Sequence, residues 1–261
     1  MDRVAIVIST FNSGCYLKET IDSCKRQSYK NLEIIIIDDH SSDGTVDYLR
    51  TVDGVKVFFN EKNNGISKNL NFAVNQTDAN YIIFLGHDDV LPSTHVEVML
   101  KEIKQDPEIA FVHCNAIKID SDGNILGFAR NSGQQIERSK KPLYYLAIDN
   151  FIQSCGLLFD REKFVAMGGW DEKYKLYGEW LSYVKFSSKW KIKFCCKTHG
   201  YYRVHANSTM KKINDEQKKQ IRKYKRFCRD LSYSYLNKCD KDLYLFFKRG
   251  MLIAKENINY Q

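Results

Sequence analysis

With only three prolines in 261 residues, and no internal repeat or low-complexity tract, nothing in the chain marks a linker between independent parts. No apolar run approaches the roughly 18 residues that cross a bilayer. Met1-Asp2-Arg3 passes directly into Val4-Ala5-Ile6-Val7-Ile8, without the layout of a secretory leader. The expected location is therefore the cytoplasm. Eight cysteines, at 15, 24, 114, 155, 195, 196, 228 and 239, include no C-x-x-C pair, which argues against structural zinc. Three of them sit in apolar runs and read as buried reduced thiols. A Gly-rich basic phosphate loop is missing near the N-terminus, where Asn12-Ser13-Gly14 is a poor substitute. What the chain does have is 43% hydrophobic residues, enough to fill the core of one large α/β domain or two small ones.

The formal charge of +8 is concentrated. Nine Lys and Arg lie between Lys211 and Arg229 against Asp215 and Glu216, so this segment carries +7 and the rest of the chain only +1. Within it Tyr224, Cys228, Leu231 and Tyr235 fall at helical spacing, opposite Lys218, Lys219, Arg222, Lys225, Arg226 and Arg229. Such a basic amphipathic helix has two readings. It packs on the core with a solvated cationic face, or it holds the protein peripherally against an anionic membrane surface. No recognition motif accompanies the charge, and nucleic acid is not an expected partner.

Along the first hundred residues, strand-like and helix-like patterns alternate. Arg3 to Ser9, Leu32 to Ile37, Val55 to Phe59 and Tyr81 to Leu85 are β-branched or aromatic runs. Tyr16 to Gln27, Gly44 to Leu49 and Ser67 to Val74 have helical spacing. This βαβαβαβ order predicts an α/β fold, a Rossmann-like, mostly parallel sheet flanked by helices, with ligands beyond the carboxyl ends of the strands. Further on, Ile109 to Cys114 reads as a strand and Lys118 to Phe128 as a hairpin turning at Asp120-Ser121-Asp122-Gly123. Phe151 to Phe159 reads as a strand, Arg161 to Met167 as a helix ending at Gly168-Gly169, and Lys191 to Cys196 and Gly200 to Val204 as two late strands.

Three polar clusters follow apolar strands: Ser9-Thr10-Phe11-Asn12, Asp38-Asp39-His40-Ser41-Ser42 and Gly86-His87-Asp88-Asp89. Two Asp-Asp pairs aimed at one crevice repel unless a cation or hydrogen-bond donors meet them. Asp88-Asp89 suits a hard divalent cation that neutralises phosphate charge; it equally suits a helix N-cap ahead of Pro92.

The order of motifs resembles the family 2 glycosyltransferases of GT-A fold. The resemblance rests on Val4 through Asn12, Glu33 through Thr45, Asn64-Gly65-Ile66-Ser67-Lys68-Asn69 and Phe84 through Asp89. Weaker landmarks follow at Gly168-Gly169-Trp170-Asp171-Glu172, Gly178-Glu179-Trp180 and Tyr202-Arg203-Val204-His205-Ala206-Asn207-Ser208. It implies an inverting enzyme that moves a hexose or N-acetylhexosamine from a UDP-sugar donor, with Mn²⁺ or Mg²⁺, to a growing glycan or lipid-linked saccharide acceptor. It also implies a GT-A domain over 1–208, with a nucleotide-binding half at 1–105 and an acceptor-binding half at 106–208, followed by the basic helical segment at 209–261. Ser9, Thr10, Phe11 and Asp39 would hold the nucleobase, and Lys68 would touch base or phosphate unless it is an ordinary solvated lysine. Asp88 and Asp89 would divide metal and ribose between them, His205 would join the metal or the phosphates, and Arg203 beside it would pair with phosphate. Glu179 would be the general base, with Asp171 and Glu172 as competing carboxylates. The sequence departs from the family at Gly86, where an Asp-x-Asp motif would begin, and at Gly178, where an acidic neighbour of the base is usual. Those departures favour a binder without turnover as one alternative; a sugar nucleotidyltransferase is another.

Overall fold

The computed structural model describes residues 1–173, 178–206 and 215–239. Asn207 and Ser208 of the late motif, Lys211 and Lys212 of the basic segment, and residues 240–261 lie outside them.

Eight strands form one sheet. β1 (Val4–Thr10), β2 (Leu32–Asp38), β3 (Lys56–Phe59) and β4 (Tyr81–Gly86) run parallel in the order β3-β2-β1-β4, as the alternating pattern predicts. β7 (Leu157–Asp160) continues the sheet antiparallel to β4, and β5 (Ile109–Ile119) is antiparallel to β7. β6 (Ile125–Phe128) closes the expected hairpin with β5, and β8 (Lys191–Arg203) runs parallel to β5. Seven buried residues in a row along β1 explain its central position, because only a strand covered on both faces tolerates such a run. Period-two alternation sends Ala5 and Val7 into one core layer and Val4, Ile6 and Ile8 into the other.

Helices α1 (Tyr16–Lys25) and α4 (His95–Ile103) cover one face through Leu17, Ile21, Val96 and Met99. The other face packs α3 (Ile66–Asn75) together with an aromatic cluster of Phe84, Phe111, Phe159, Phe164 and Trp170. Also on the chain are α2 (Thr45–Arg50), α5 (Ser132–Lys140), α6 (Pro142–Leu146), α7 (Arg161–Ala166), α8 (Gly178–Ser187) and α9 (Asp215–Cys239).

Two sequence expectations need correction. Phe151 to Phe159 is not one strand: Gly156 takes φ +74°, a left-handed turn, and only the last residues join the sheet as β7. The two late strands are one, β8, in which pairing with β5 jumps from Cys114↔Cys195 to Asn115↔His199. Cys196, Lys197 and Thr198 form the resulting bulge. Of the described cysteines, five are buried, more than the three in apolar runs; Cys15 and Cys196 are exposed, and none is in a disulfide.

Helix α9 packs one face on the body. Tyr224 and Cys228 enter the core, Tyr224 Oη accepts from Leu181 N at 2.9 Å, and the Arg229 guanidinium lies 6.0 Å from the Trp180 ring centre. Its Arg222, Lys225 and Arg226 remain on the exposed face. No helix among the described residues is long and apolar enough to cross a membrane.

Candidate active site

Strands β2 and β4 flank β1, and the chain leaves β1 towards β2 but returns to β4 on the other side. Such a reversal opens a crevice at the carboxyl ends of the strands. Two strand spacings, about 10 Å, separate the ends of β2 and β4, a span that suits a nucleoside diphosphate lying across β1.

At the β2 end Asp39 is buried. Its Oδ1 accepts from Asn60 Nδ2 (2.9 Å) and Asn64 N (2.7 Å), and Oδ2 from Gly65 N (2.9 Å). Burial raises this carboxyl, but the donors outweigh burial and hold it below the usual carboxylate range. Asn60 also reaches Asn69 Oδ1, and Asn69 donates to Ser9 Oγ at 3.1 Å, so one amide network ties β1, β2 and α3 together. The tips of the two loops are cross-clamped: Asn12 N donates to Ser41 Oγ, and Ser42 N to Asn12 Oδ1. Phe11, directly after β1, is 45% exposed, and an exposed aromatic ring can stack on a planar base. Thr10 is buried beside Asp38, and Thr10 Oγ1 and Asp38 Oδ1 are both buried with no hydrogen-bond partner among the described residues. Lys68 is exposed, with Nζ 3.3 Å from Asn64 Oδ1.

The β4 end turns at Gly86, directly beneath the carboxylates. A Cβ on Gly86 would lie 2.9 Å from Asp89 Oδ2 and 3.0 Å from Asp88 Oδ1, so the two groups converge on one point. Asp88 Oδ2 pairs with His205 Nε2 at 3.0 Å, while Asp89, 4% exposed, accepts from Arg203 N at 3.0 Å. Burial, then the charge of Asp88, pushes the Asp89 carboxyl up. Neither residue caps a helix: α4 begins only at His95, behind Thr94.

Arg203 is spent on contacts within the protein. Its fully buried guanidinium donates to Asp88 O (3.0 Å), Asp120 O (3.1 Å), Ser121 O (3.2 Å) and Glu19 Oε2, and it stacks 4.9 Å over Tyr16. Tyr16 in turn lies 4.7 Å from the His205 ring. One arginine thus joins the carboxylate turn, the β5–β6 hairpin and α1.

A metal ion must be tested against this donor set. Among the described residues no three His, Cys, Asp or Glu side chains form a ready-made cage, so Asp88, Asp89 and His205 are not assembled as three ligands. The set nonetheless fits a cation that arrives with a nucleotide, since such ions take one or two protein carboxylates and complete their shell with phosphate and water. Asp88, with one oxygen held by His205 and the other at the convergence point, would be the better placed to hold it.

Glu179, at the start of α8, accepts from Ser154 Oγ at 2.6 Å, and Ser154 Oγ lies 3.0 Å from Tyr183 Oη. Burial raises its carboxyl and the Ser154 bond opposes that rise. Next along the chain, the Cys155 thiol donates to Tyr201 O at 3.7 Å and lies within electrostatic reach of Asp89, so adjacent residues of one loop neighbour the two carboxylate sites. Asp171 and Glu172 are engaged elsewhere. Glu172 Oε1 accepts from Asn71 Nδ2 at 3.2 Å, and Asp171 accepts from Lys173 N and pairs with Lys185. Gly178 is where α8 abuts that loop: a Cβ there would lie 3.1 Å from Asp171 O.

The motif reading missed Ser154, Cys155, Tyr16 and Glu19. None carries a local signal; each becomes visible only when distant segments meet. Asn69 was within a recognised motif, but its contact to Ser9 was not readable from it.

The sequence profile of Glycosyl transferase family 2 matches residues 5–168. An uncharacterized glycosyltransferase of Rickettsia typhi is 30% identical over 71% of this chain and 59% of its own length. A second, from Rickettsia conorii, is 26% identical over 99% of this chain, which spans only 43% of it. In structure the chain is similar to S. aureus TarS 1-349 in complex with UDP-GlcNAc (TM-score 0.69, 16% identity, 90% of this chain and 72% of that one). It is also similar to the mannosyltransferase PcManGT of Pyrobaculum calidifontis, in complex with GDP-Man and Mn²⁺ (TM-score 0.61, 14% identity, 97% and 80%). With the profile covering well over half of the chain and the sheet order seen here, the protein belongs to glycosyl transferase family 2 and has the GT-A fold.

Proposed function

We propose that the chain is an inverting glycosyltransferase that moves a hexose or N-acetylhexosamine from a UDP-sugar to a hydroxyl of a growing, lipid-linked surface glycan. The observation that carries this reading is the loop at Ser154 and Cys155, which brings Glu179 into the neighbourhood of the converged Asp88 and Asp89. A base and a leaving-group site then share one cleft. Phe11 stacks on the nucleobase and Asp39, ionised, accepts its N–H, while Ser9 and Thr10 line the floor. The neighbours bound to UDP-GlcNAc and to GDP-Man with Mn²⁺ support a nucleotide-sugar as the donor.

A divalent ion held by Asp88 and the diphosphate, with His205 bracing the carboxylate, would supply Lewis-acid stabilisation of charge building on the β-phosphate. Glu179 takes the proton of the acceptor hydroxyl on Oε1, since Oε2 is engaged by Ser154. The acceptor oxygen attacks the anomeric carbon on the face opposite the nucleotide, the bond to the β-phosphate oxygen breaks, and configuration inverts. The two glycines that suggested a binder without turnover have steric reasons of their own. A side chain at Gly86 would collide with both carboxylates, and one at Gly178 would press on the Asp171 backbone.

The test is calorimetric titration of UDP with Mn²⁺ present, followed by hydrolysis of a UDP-sugar. UDP binding that is lost in Asp88→Asn, with hydrolysis lost but binding kept in Glu179→Gln, is the expected result. Failure of the unaltered protein to bind UDP rejects the donor; hydrolysis persisting in Glu179→Gln rejects the base. For the acceptor, the exposed cationic face of α9 suits an anionic membrane surface where a lipid-linked saccharide is met. Binding to anionic vesicles at low salt that is abolished by charge reversal at Arg222, Lys225 and Arg226 is expected; no binding rejects this part.

A further inference from the structure

Ser154 stands between two groups of opposite role. Its single hydroxyl proton goes to Glu179 Oε2 at 2.6 Å, so at the 3.0 Å contact with Tyr183 the phenol is the donor and Ser154 Oγ the acceptor. The order is Tyr183 to Ser154 to Glu179. Cys155 then neighbours Asp89, and Gly156 O is fixed by His95 Nε2 at 2.7 Å, while His95 Nδ1 is 3.0 Å from Thr198 in the β8 bulge. Space around the segment is tight. A Cβ on Gly200 would lie 2.3 Å from Cys155 Sγ, and one on Gly156 would lie 2.7 Å from His95 Nε2. The loop therefore has no room to slide along the strand it crosses.

We propose that Ser154 is a positioning residue for the base, and that Ser154-Cys155-Gly156 is a rigid spacer holding Glu179 in register with the leaving-group site at Asp89. This rests on Glu179 being the base. Ser154 orients Oε2 inward and leaves Oε1, which accepts no hydrogen bond among the described residues, for the acceptor hydroxyl. It also stabilises the ionised carboxylate against burial. The titratable groups facing Glu179 are Tyr183 on α8, Tyr202 on β8 and Tyr224 on α9. All are raised by burial and stay neutral while the base titrates.

The experiment is the pH profile of kcat/KM for UDP-sugar hydrolysis in saturating Mn²⁺, for the unaltered protein, Ser154→Ala, Ser154→Thr and Glu179→Gln. A base works only when ionised, so activity falls as pH drops through its pKa. Losing a hydrogen bond to the charged form moves that acid limb to higher pH, here by about one pH unit. UDP affinity in Ser154→Ala stays unchanged, and Ser154→Thr restores the limb. Tyr183→Phe, one bond further out, moves it in the same direction by less, and serves if Ser154→Ala does not fold. An inactive Glu179→Gln with an unmoved acid limb in the other variants overturns the role of Ser154 and spares the base. An active Glu179→Gln overturns both.

Discussion

Gly86→Ala adds one methyl group at the point where Asp88 and Asp89 meet. Gly86 does not take a left-handed φ, so alanine fits the backbone and the fold should lose less than about 1 kcal/mol. The new Cβ would sit 2.9 Å from Asp89 Oδ2 and 3.0 Å from Asp88 Oδ1, and these oxygens must retreat by roughly 0.5 Å to reach ordinary contact. Asp89 is buried and held by Arg203 N, so Asp88, more exposed, is the group that swings and gives up His205. Losing one hydrogen bond to a charged group and displacing the proposed metal ligand should weaken UDP binding in the presence of Mn²⁺ by about 1.5–3 kcal/mol, roughly 10- to 100-fold. Titration calorimetry reads the affinity, and urea unfolding controls for stability. Gly86→Asp, which would rebuild an Asp-x-Asp motif, should do worse, because a third carboxylate joins two that already repel. Unchanged affinity in Gly86→Ala, or tighter binding in Gly86→Asp, refutes the convergence argument.

Asp88→Asn should weaken Mn²⁺-dependent UDP binding more than Asp89→Asn, since asparagine at 89 still accepts from Arg203 N; the reverse order in calorimetry would reassign the ligand. Arg203→Met keeps apolar volume but leaves three backbone carbonyls and Glu19 without their donor. It should destabilise the fold by about 2–4 kcal/mol in urea, and a loss below about 1 kcal/mol would contradict its joining role. Burial lowers the imidazoles of His95 and His113 to about 4 and about 3, while unfolded histidine titrates near 6.5. Both are neutral when folded. Their contribution is complete above pH 6.5 and is lost as pH falls below it, at about 1.4 kcal/mol per unit each. Unfolding free energy should therefore drop by roughly 4 kcal/mol between pH 7 and pH 5 from the pair. His113→Phe, set among Phe111, Phe151 and Phe194, should roughly halve the slope; a flat profile in the unaltered protein would refute the assignment.

The first half of the fold was legible because β1, β2 and β4 are unbroken apolar runs, each followed by a polar cluster that a buried strand cannot contain. Helix α4 went unread although Val96, Met99, Leu100 and Ile103 have helical spacing, since Asp88-Asp89 before Pro92 drew the cap to the wrong place. β8 read as two strands because the bulge at Cys196 to Thr198 sends Lys197 to Glu102 and Thr198 to His95, and polar side chains facing a helix look like a loop. Arg203 read as a phosphate ligand because an arginine beside a histidine has that chemistry. Its burial, which the linear pattern does not carry, assigns it elsewhere. Phe11 and Asp39 stand at the ends of β1 and β2 where the motif put them, but the amide network that fixes Asp39 needed α3 in place.

Strand β8 starts at Lys191, at the end of the sheet remote from the carboxylates, and finishes at Arg203, whose amide holds Asp89. It works as a ruler with its zero at one edge of the molecule and its mark in the cleft. Gly200 against Cys155, Tyr201 against Val90 and Arg203 against Asp89 are consecutive graduations. Inserting a single residue between Gly200 and Arg203 would turn the arginine to the opposite face, as period-two geometry requires. The profile match stops at residue 168, ahead of this strand. A fragment cut there would keep the crevice between β2 and β4 yet lose the part that calibrates it.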